Sequence, residues 1–219
     1  MKTFSAVTTF VIAVATAGLL AQADLEPARF FDGSLPSMPP LAVSGGDVLV
    51  SLSVSAGGKV TAVDVLRSTP PFTDAIVQAV RGWVFMPALD AKRQPMDTHV
   101  LVDGVIGAPT IRVPTVGTPP TDVAPPDRRV PYPAQTTAPS YPINARTQGM
   151  VLVETRVNAA GEVVAVTAVR SMPPFDAPAL DAARGWTFQP ATGPKAPPST
   201  YAYLLFVFRQ PVVGPSPGK

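Results

Sequence analysis

The chain has 219 residues, room for one domain of ordinary size or two small ones with linkers. Its 28 prolines cannot sit inside helices or central strands, so they mark linkers and turns. Cysteine is absent and His99 is the single histidine, which excludes disulfides, thiolate sites and multi-histidine metal centres, while a net charge of +2 leaves no footprint for nucleic acid.

Lys2 precedes an uncharged run from Thr3 to Ala23 that ends Ala21-Gln22-Ala23. A positive start, an apolar middle and an A-x-A end read as a secretory signal over 1–23, cleaved after Ala23. About 20 apolar residues also suffice for an uncleaved inner-membrane anchor over 3–23. Either reading exports the rest of the chain, to the periplasm.

Beyond a linker at 24–37, an internal repeat organises the sequence. Sliding the chain by 103 residues lays Val48–Ala88 on Val151–Ala191 without a gap, with 21 identities in 41 positions. Arg67-Ser68 matches Arg170-Ser171, and Arg81-Gly82-Trp83-Val84-Phe85 matches Arg184-Gly185-Trp186-Thr187-Phe188. The expected organisation is a divergent first module at 38–107, a proline-rich spacer at 108–140, a second module at 141–210 and a tail at 211–219.

Each copy reads as strand, strand, helix, strand. Val151, Val153, Thr155 and Val157 alternate with Leu152, Glu154, Arg156 and Asn158, a half-buried strand. Gly161 supplies the positive φ of a hairpin turn, and Val163–Val169 returns. Asp176, with Phe175 before it and Leu180 after it, reads as a helix N-cap with a hydrophobic staple; Phe72, Thr73 and Val77 fill those roles in the first copy. The apolar stripe ends at Trp83 in one helix and Trp186 in the other. The last strand is Tyr201–Arg209, against Thr98–Gly107 in the first copy, where Asp103 and Gly104 interrupt it and His99 stands opposite Ala202. The expected fold is α+β: two small β-β-α-β modules, each a three-stranded antiparallel sheet with helices on one face.

Trp83, Phe85, Trp186 and Phe188 read as structural core. Arg67-Ser68 and Arg170-Ser171 read as loop and cap, and His99 as an exposed strand residue. No acid recurs between the aligned copies: Asp64 faces Thr167, and Glu154 faces Ser51. Acid/base catalysis by a duplicated carboxylate, a phosphate-binding glycine loop and a metal cluster all lack support, so the reading is a non-enzyme without cofactor, metal or small-molecule substrate.

The second copy resembles the carboxy-terminal domain of TonB, the periplasmic energy transducer. It carries Tyr141, Pro142, Ala145, Gly149, Val151, Val153, Val157, Gly161, Val163, Ser171, Leu180, Ala183, Trp186, Phe188 and Pro190 of the family pattern. The first copy carries Pro39, Ala42, Gly46, Gly58, Val60, Ser68, Trp83, Phe85 and Pro87, with Met38 in place of the tyrosine. The resemblance implies an envelope protein that binds protein partners, among them outer-membrane transporters, by pairing their segments with a sheet edge. In the first 23 residues, however, the family's Ser-x-x-x-His motor motif reads Ser5 to Thr9.

The binding edge expected on this reading is the last strand, through Tyr201, Tyr203, Leu204, Leu205, Phe206 and Val207, which is apolar on both faces. The same edge could close a homodimer. The alternative function is a structural or assembly protein of the envelope that uses the fold without energy transduction.

Overall fold

The computed structural model describes residues 25–40, 42, 44–109, 116–117, 127–192 and 199–211. The expected signal segment, part of the spacer and most of the tail lie outside the described residues. In chain order the elements are β1 (Arg29–Asp32), β2 (Gly46–Val54), β3 (Val60–Arg67), α1 (Phe72–Val80), β4 (Val84–Met86), β5 (Ala88–Leu89), β6 (Pro95–Met96), β7 (Thr98–Ile106), β8 (Val116–Gly117), β9 (Tyr132–Thr137), β10 (Gly149–Asn158), β11 (Val163–Arg170), α2 (Asp176–Arg184), β12 (Thr187–Gln189) and β13 (Ser199–Phe208). The fold is mixed α+β, mostly strands with two helices.

The β2–β3 and β10–β11 hairpins form where alternation predicts strands, and glycine fixes both turns. Gly58 and Gly161 sit at φ +77° and +84°, and a Cβ on either would collide with the carbonyl of Phe85 or Phe188. Each glycine carbonyl accepts the N–H of that same phenylalanine at 2.8 Å, so the turn also anchors the strand after the helix. Against the expected caps, α2 starts one residue early, at Asp176, and α1 two residues early, at Phe72. Thr73 and Asp176 do not cap forward. They bond back onto the preceding loop, Thr69 N–H to Thr73 Oγ1 at 2.9 Å and Met172 N–H to Asp176 Oδ1 at 2.7 Å.

The last strands change the architecture from what the sequence suggests. One six-stranded sheet forms in the order β11-β10-β13-β7-β2-β3. Pairing within each copy is antiparallel, but β13 and β7, the third strands of the two copies, pair in parallel from Ala202–Leu101 to Val207–Ile106. Parallel pairing of equivalent strands turns one copy over relative to the other. Val48, Val50, Leu52, Val100 and Val102 face α1 through Phe72, Ile76, Val80 and Trp83. Val151, Val153, Ala202, Leu204 and Phe206 face α2 on the opposite side, through Phe175, Ala179, Ala183 and Trp186. The sheet is therefore buried on both faces, with one core above it and one below.

Each core also borrows from the other copy: Leu152, Tyr203 and Leu205 complete the α1 core, and Leu49 and Leu101 the α2 core. This explains why β13 is apolar on both faces. It lies at the centre of the sheet, one face toward each core.

Strand pairing also shifts the repeat by one residue in its last strand. Val102 pairs with Val50 as Leu204 pairs with Val153, an offset of 102 where the earlier strands keep 103. A one-residue shift exchanges the faces of a strand, so the counterpart of His99 is Tyr201, not Ala202, and that of Asp103 is Leu205. Gly104 then corresponds to Phe206. A Cβ at Gly104 would collide with Ile76, whose counterpart across the repeat is the small Ala179. Bulk has moved from helix to strand: Ile76 over Gly104 in one copy, Ala179 beside Phe206 in the other.

Where the sequence reads as spacer, residues 132–137 form β9, which pairs with β12 as β1 pairs with β4. Arg29 and Tyr132 are 103 residues apart. The repeat thus begins upstream of the aligned block, with an arm strand in each copy.

Candidate functional site: the edges of the sheet

The expected binding strand has no free edge. Tyr201, Tyr203, Leu204, Leu205, Phe206 and Val207 all pair with β10 on one side, and from Tyr203 to Val207 they pair with β7 on the other. Tyr203, Leu204, Leu205 and Phe206 are fully buried. The expectation of an edge here is corrected: its second side is filled by the matching strand of the same chain, and its two apolar faces serve two cores.

Trp83, Phe85, Trp186 and Phe188 are buried at the junction of helix and arm. The indole N–H groups of Trp83 and Trp186 donate to the carbonyls of Ser34 at 3.0 Å and Thr137 at 2.9 Å. Phe30 joins Trp83, Phe85 and Tyr203 in one aromatic cluster.

Several polar side chains brace one copy against the other. Arg29 of β1 donates to Glu154 of β10 at 2.7 Å, Tyr203 donates to the other carboxylate oxygen at 3.0 Å, and the Phe30 N–H donates to the Tyr203 hydroxyl at 2.7 Å. Burial and the Glu154 charge push the Tyr203 hydroxyl well above its ordinary pKa, so it stays a donor. Arg170, at the end of β11, reaches Asp32 and lies 5.0 Å from the Phe30 ring centre. Its repeat partner Arg67 is paired with Asp47 and donates to the Tyr132 hydroxyl at 3.1 Å. Each repeated arginine therefore grips the arm of the other copy. Ser171 donates to Asp176 at 2.5 Å within the loop.

Residues 127–130 strap the first copy. Although burial opposes it, hydrogen bonds from Arg129 hold the Asp127 carboxyl down to about 2. Arg129 extends to Asp64 on β3 at 3.3 Å and to His99 Nε2 at 3.4 Å. His99 is half-buried, its Nδ1 3.4 Å from the Ser53 hydroxyl; burial and then the Arg129 charge lower its pKa, so it is neutral at pH 7. Among the described residues no group of acids and histidine could hold a metal ion, and no helix is long and apolar enough to cross a membrane.

The open edges of the six-stranded sheet are its outer strands, β3 and β11. Each is paired on one side only, so alternate residues turn N–H and C=O groups outward. Val65 on β3 is 46% exposed and Val164 on β11 is 55% exposed. These edges are not evident in the sequence, because Val163–Arg170 reads as apolar as a buried strand. The arms are equally faint in the sequence. Their faint signal is the match of Pro36-Ser37 with Pro139-Ser140, which continues the 103-residue offset upstream.

Residues 137–209 match the family model described as the Gram-negative bacterial TonB protein C-terminal. The match spans β10, β11, α2, β12 and β13 and begins inside the arm. No curated protein matches the chain.

Proposed function

We propose that the chain is an exported envelope protein that binds other proteins by strand addition, built from two tandem TonB-like β-β-α-β units, and that it acts as an adaptor or assembly protein without energy transduction. The observation that carries the adaptor reading is the filling of β13 on both sides by β10 and β7. A single unit would offer that strand to a partner; here the other unit occupies its place. What remains for recognition on the six-stranded sheet is the pair of outer edges, on a scaffold in which Arg29, Glu154 and Tyr203 brace one unit against the other.

The family match at residues 137–209 favours a second reading, in which the partners are segments of outer-membrane transporters and the protein contributes to transport. Affinity capture from envelope extracts, followed by competition with synthetic segments of each captured protein, separates the two. Retention of outer-membrane transporters through their periplasmic segments supports the transport reading, and retention of other envelope proteins supports the adaptor. If no envelope protein is retained and competed, protein binding itself is wrong.

A further inference from the structure

The two outer strands occupy equivalent positions, yet their edges differ in chemistry. Between the bulges that interrupt each hairpin, the regular ladder exposes Ala62-Val63-Asp64-Val65 on β3 and Ala165-Val166-Thr167-Ala168 on β11. Asp64 on the first is tied to Arg129, which crosses to it from the strap. A charge pair on an outer strand is a common guard against strand addition, because an incoming strand must desolvate it. Its counterpart Thr167 is uncharged and exposed, and β11 carries no ionisable group until Arg170.

Next to the unguarded edge stands a cation without an anion. Arg156 of β10 is exposed and makes one 3.4 Å hydrogen bond, to the Ser199 hydroxyl; among the described residues it has no ion pair. It lies opposite Ala165, so the strand between it and the edge presents a methyl group there. A strand added outside β11 would run about 10 Å from β10, two strand spacings away. An extended arginine can cross much of that distance over a methyl group, toward an acidic side chain on the newcomer. In the first copy the residue equivalent to Arg156 is Ser53, which bonds His99.

We propose that β11 is the docking edge, and that its partner is a short extended segment of another protein, uncharged and β-branched except for one carboxylate opposite Ala165 that pairs with Arg156. This rests on the protein-binding reading above and adds to it the edge and the chemistry of the partner. The occupied strand β13 plays no part.

The test uses two acetylated hexapeptides, alternating valine and threonine, one with a central aspartate and one with lysine there, titrated into the isotope-labelled protein. Backbone amide shifts should move along 163–170 and not along 60–67. The aspartate peptide should bind at least tenfold more tightly. Arg156→Ser should erase that preference while shifts persist on β11, and Thr167→Asp should abolish binding with the spectrum otherwise unchanged. Shifts on 60–67, equal affinity for the two peptides, or no binding of either would each overturn the proposal. So would concentration-dependent dimerisation abolished by Thr167→Asp, since the edge would then serve a second copy. Failure of this edge is separable from failure of protein binding: envelope partners captured equally by wild type and Thr167→Asp would move the site but keep the function.

Discussion

The indole N–H of Trp186 donates to the carbonyl of Thr137 at 2.9 Å, tying the end of α2 to a strand that precedes it by 49 residues. Trp83 does the same to Ser34. The tryptophan thus fills the junction of helix and sheet and also holds the arm, which returns beside the strand after the helix.

Trp186→Ala should therefore destabilise by about 3–5 kcal/mol, and Trp186→Phe, which keeps most of the apolar bulk but orphans the Thr137 carbonyl, by about 1–2 kcal/mol. Thermal or urea unfolding checks both. Because each core contains residues of the other copy, Trp83→Ala and Trp186→Ala should each shift one common transition. Two separable transitions would contradict the shared sheet.

Much of this fold is readable from residues, and the boundary of what is readable has a physical cause. The Gly161 turn, the two hairpins and the aromatic plugs depend on side-chain identity, so they stand out in the repeat. The arms act through backbone pairing and carbonyls, which nearly any residue supplies; Arg29–Asp32 and Tyr132–Thr137 share no residue at the 103 offset. The position of β13 is ambiguous in the sequence for a related reason. A strand with two apolar faces is equally consistent with a bare edge awaiting a partner and with a centre between two cores, and its pairing partner lies about one hundred residues away in sequence. The difference between β3 and β11 was legible in Asp64 against Thr167, but acquires meaning only once those strands are placed at the rim.

Asp103 gives a prediction about pH. It lies in β7 opposite Leu204 of β13, fully buried, and among the described residues neither carboxylate oxygen has a hydrogen-bond partner. Burial raises its pKa well above the ordinary value, the nearby Asp47 charge adds to the rise, and Arg67 opposes it. Since the folded state holds the proton more tightly than the unfolded chain, the contribution is fully present below the unfolded pKa of about 4. It declines as pH rises through that value toward the folded pKa. Asp103→Leu, which installs the residue of the other copy, should raise stability at pH 7 by about 1–3 kcal/mol and flatten this part of the pH profile. Chemical denaturation between pH 4 and 8 reads both, and an unchanged profile would mean that Asp103 is not the group responsible.

Arg29 bears on how the copies are braced. Removing it leaves Glu154, 4% exposed, with only the Tyr203 hydroxyl as partner among the described residues. Arg29→Ala should cost about 1–3 kcal/mol. Arg29→Ala with Glu154→Gln together should cost less than the sum of the two changes, because the charge that needed a partner is gone. Additive losses in the unfolding free energies would show that the two side chains act independently.

The last prediction concerns the shared strand. Separating the copies would leave β13 with one open side and would expose Tyr203, Leu205 and Val207, which complete the α1 core from the second copy. A fragment of residues 127–211 should therefore fail to remain a stable monomer. Its bare edge and apolar face should drive it to dimerise or aggregate, with β13 of a second fragment taking the place of β7. Replacing Leu205 by aspartate in that fragment, the acidic residue its counterpart Asp103 carries in the other copy, should weaken the association by at least tenfold because the new carboxylate must be buried in the contact. Sedimentation velocity across a concentration series measures the association, and circular dichroism establishes whether the fragment retains strand content. A well-folded monomer at all concentrations would show that the second copy does not need the first, and that pairing between β7 and β13 is incidental to its stability.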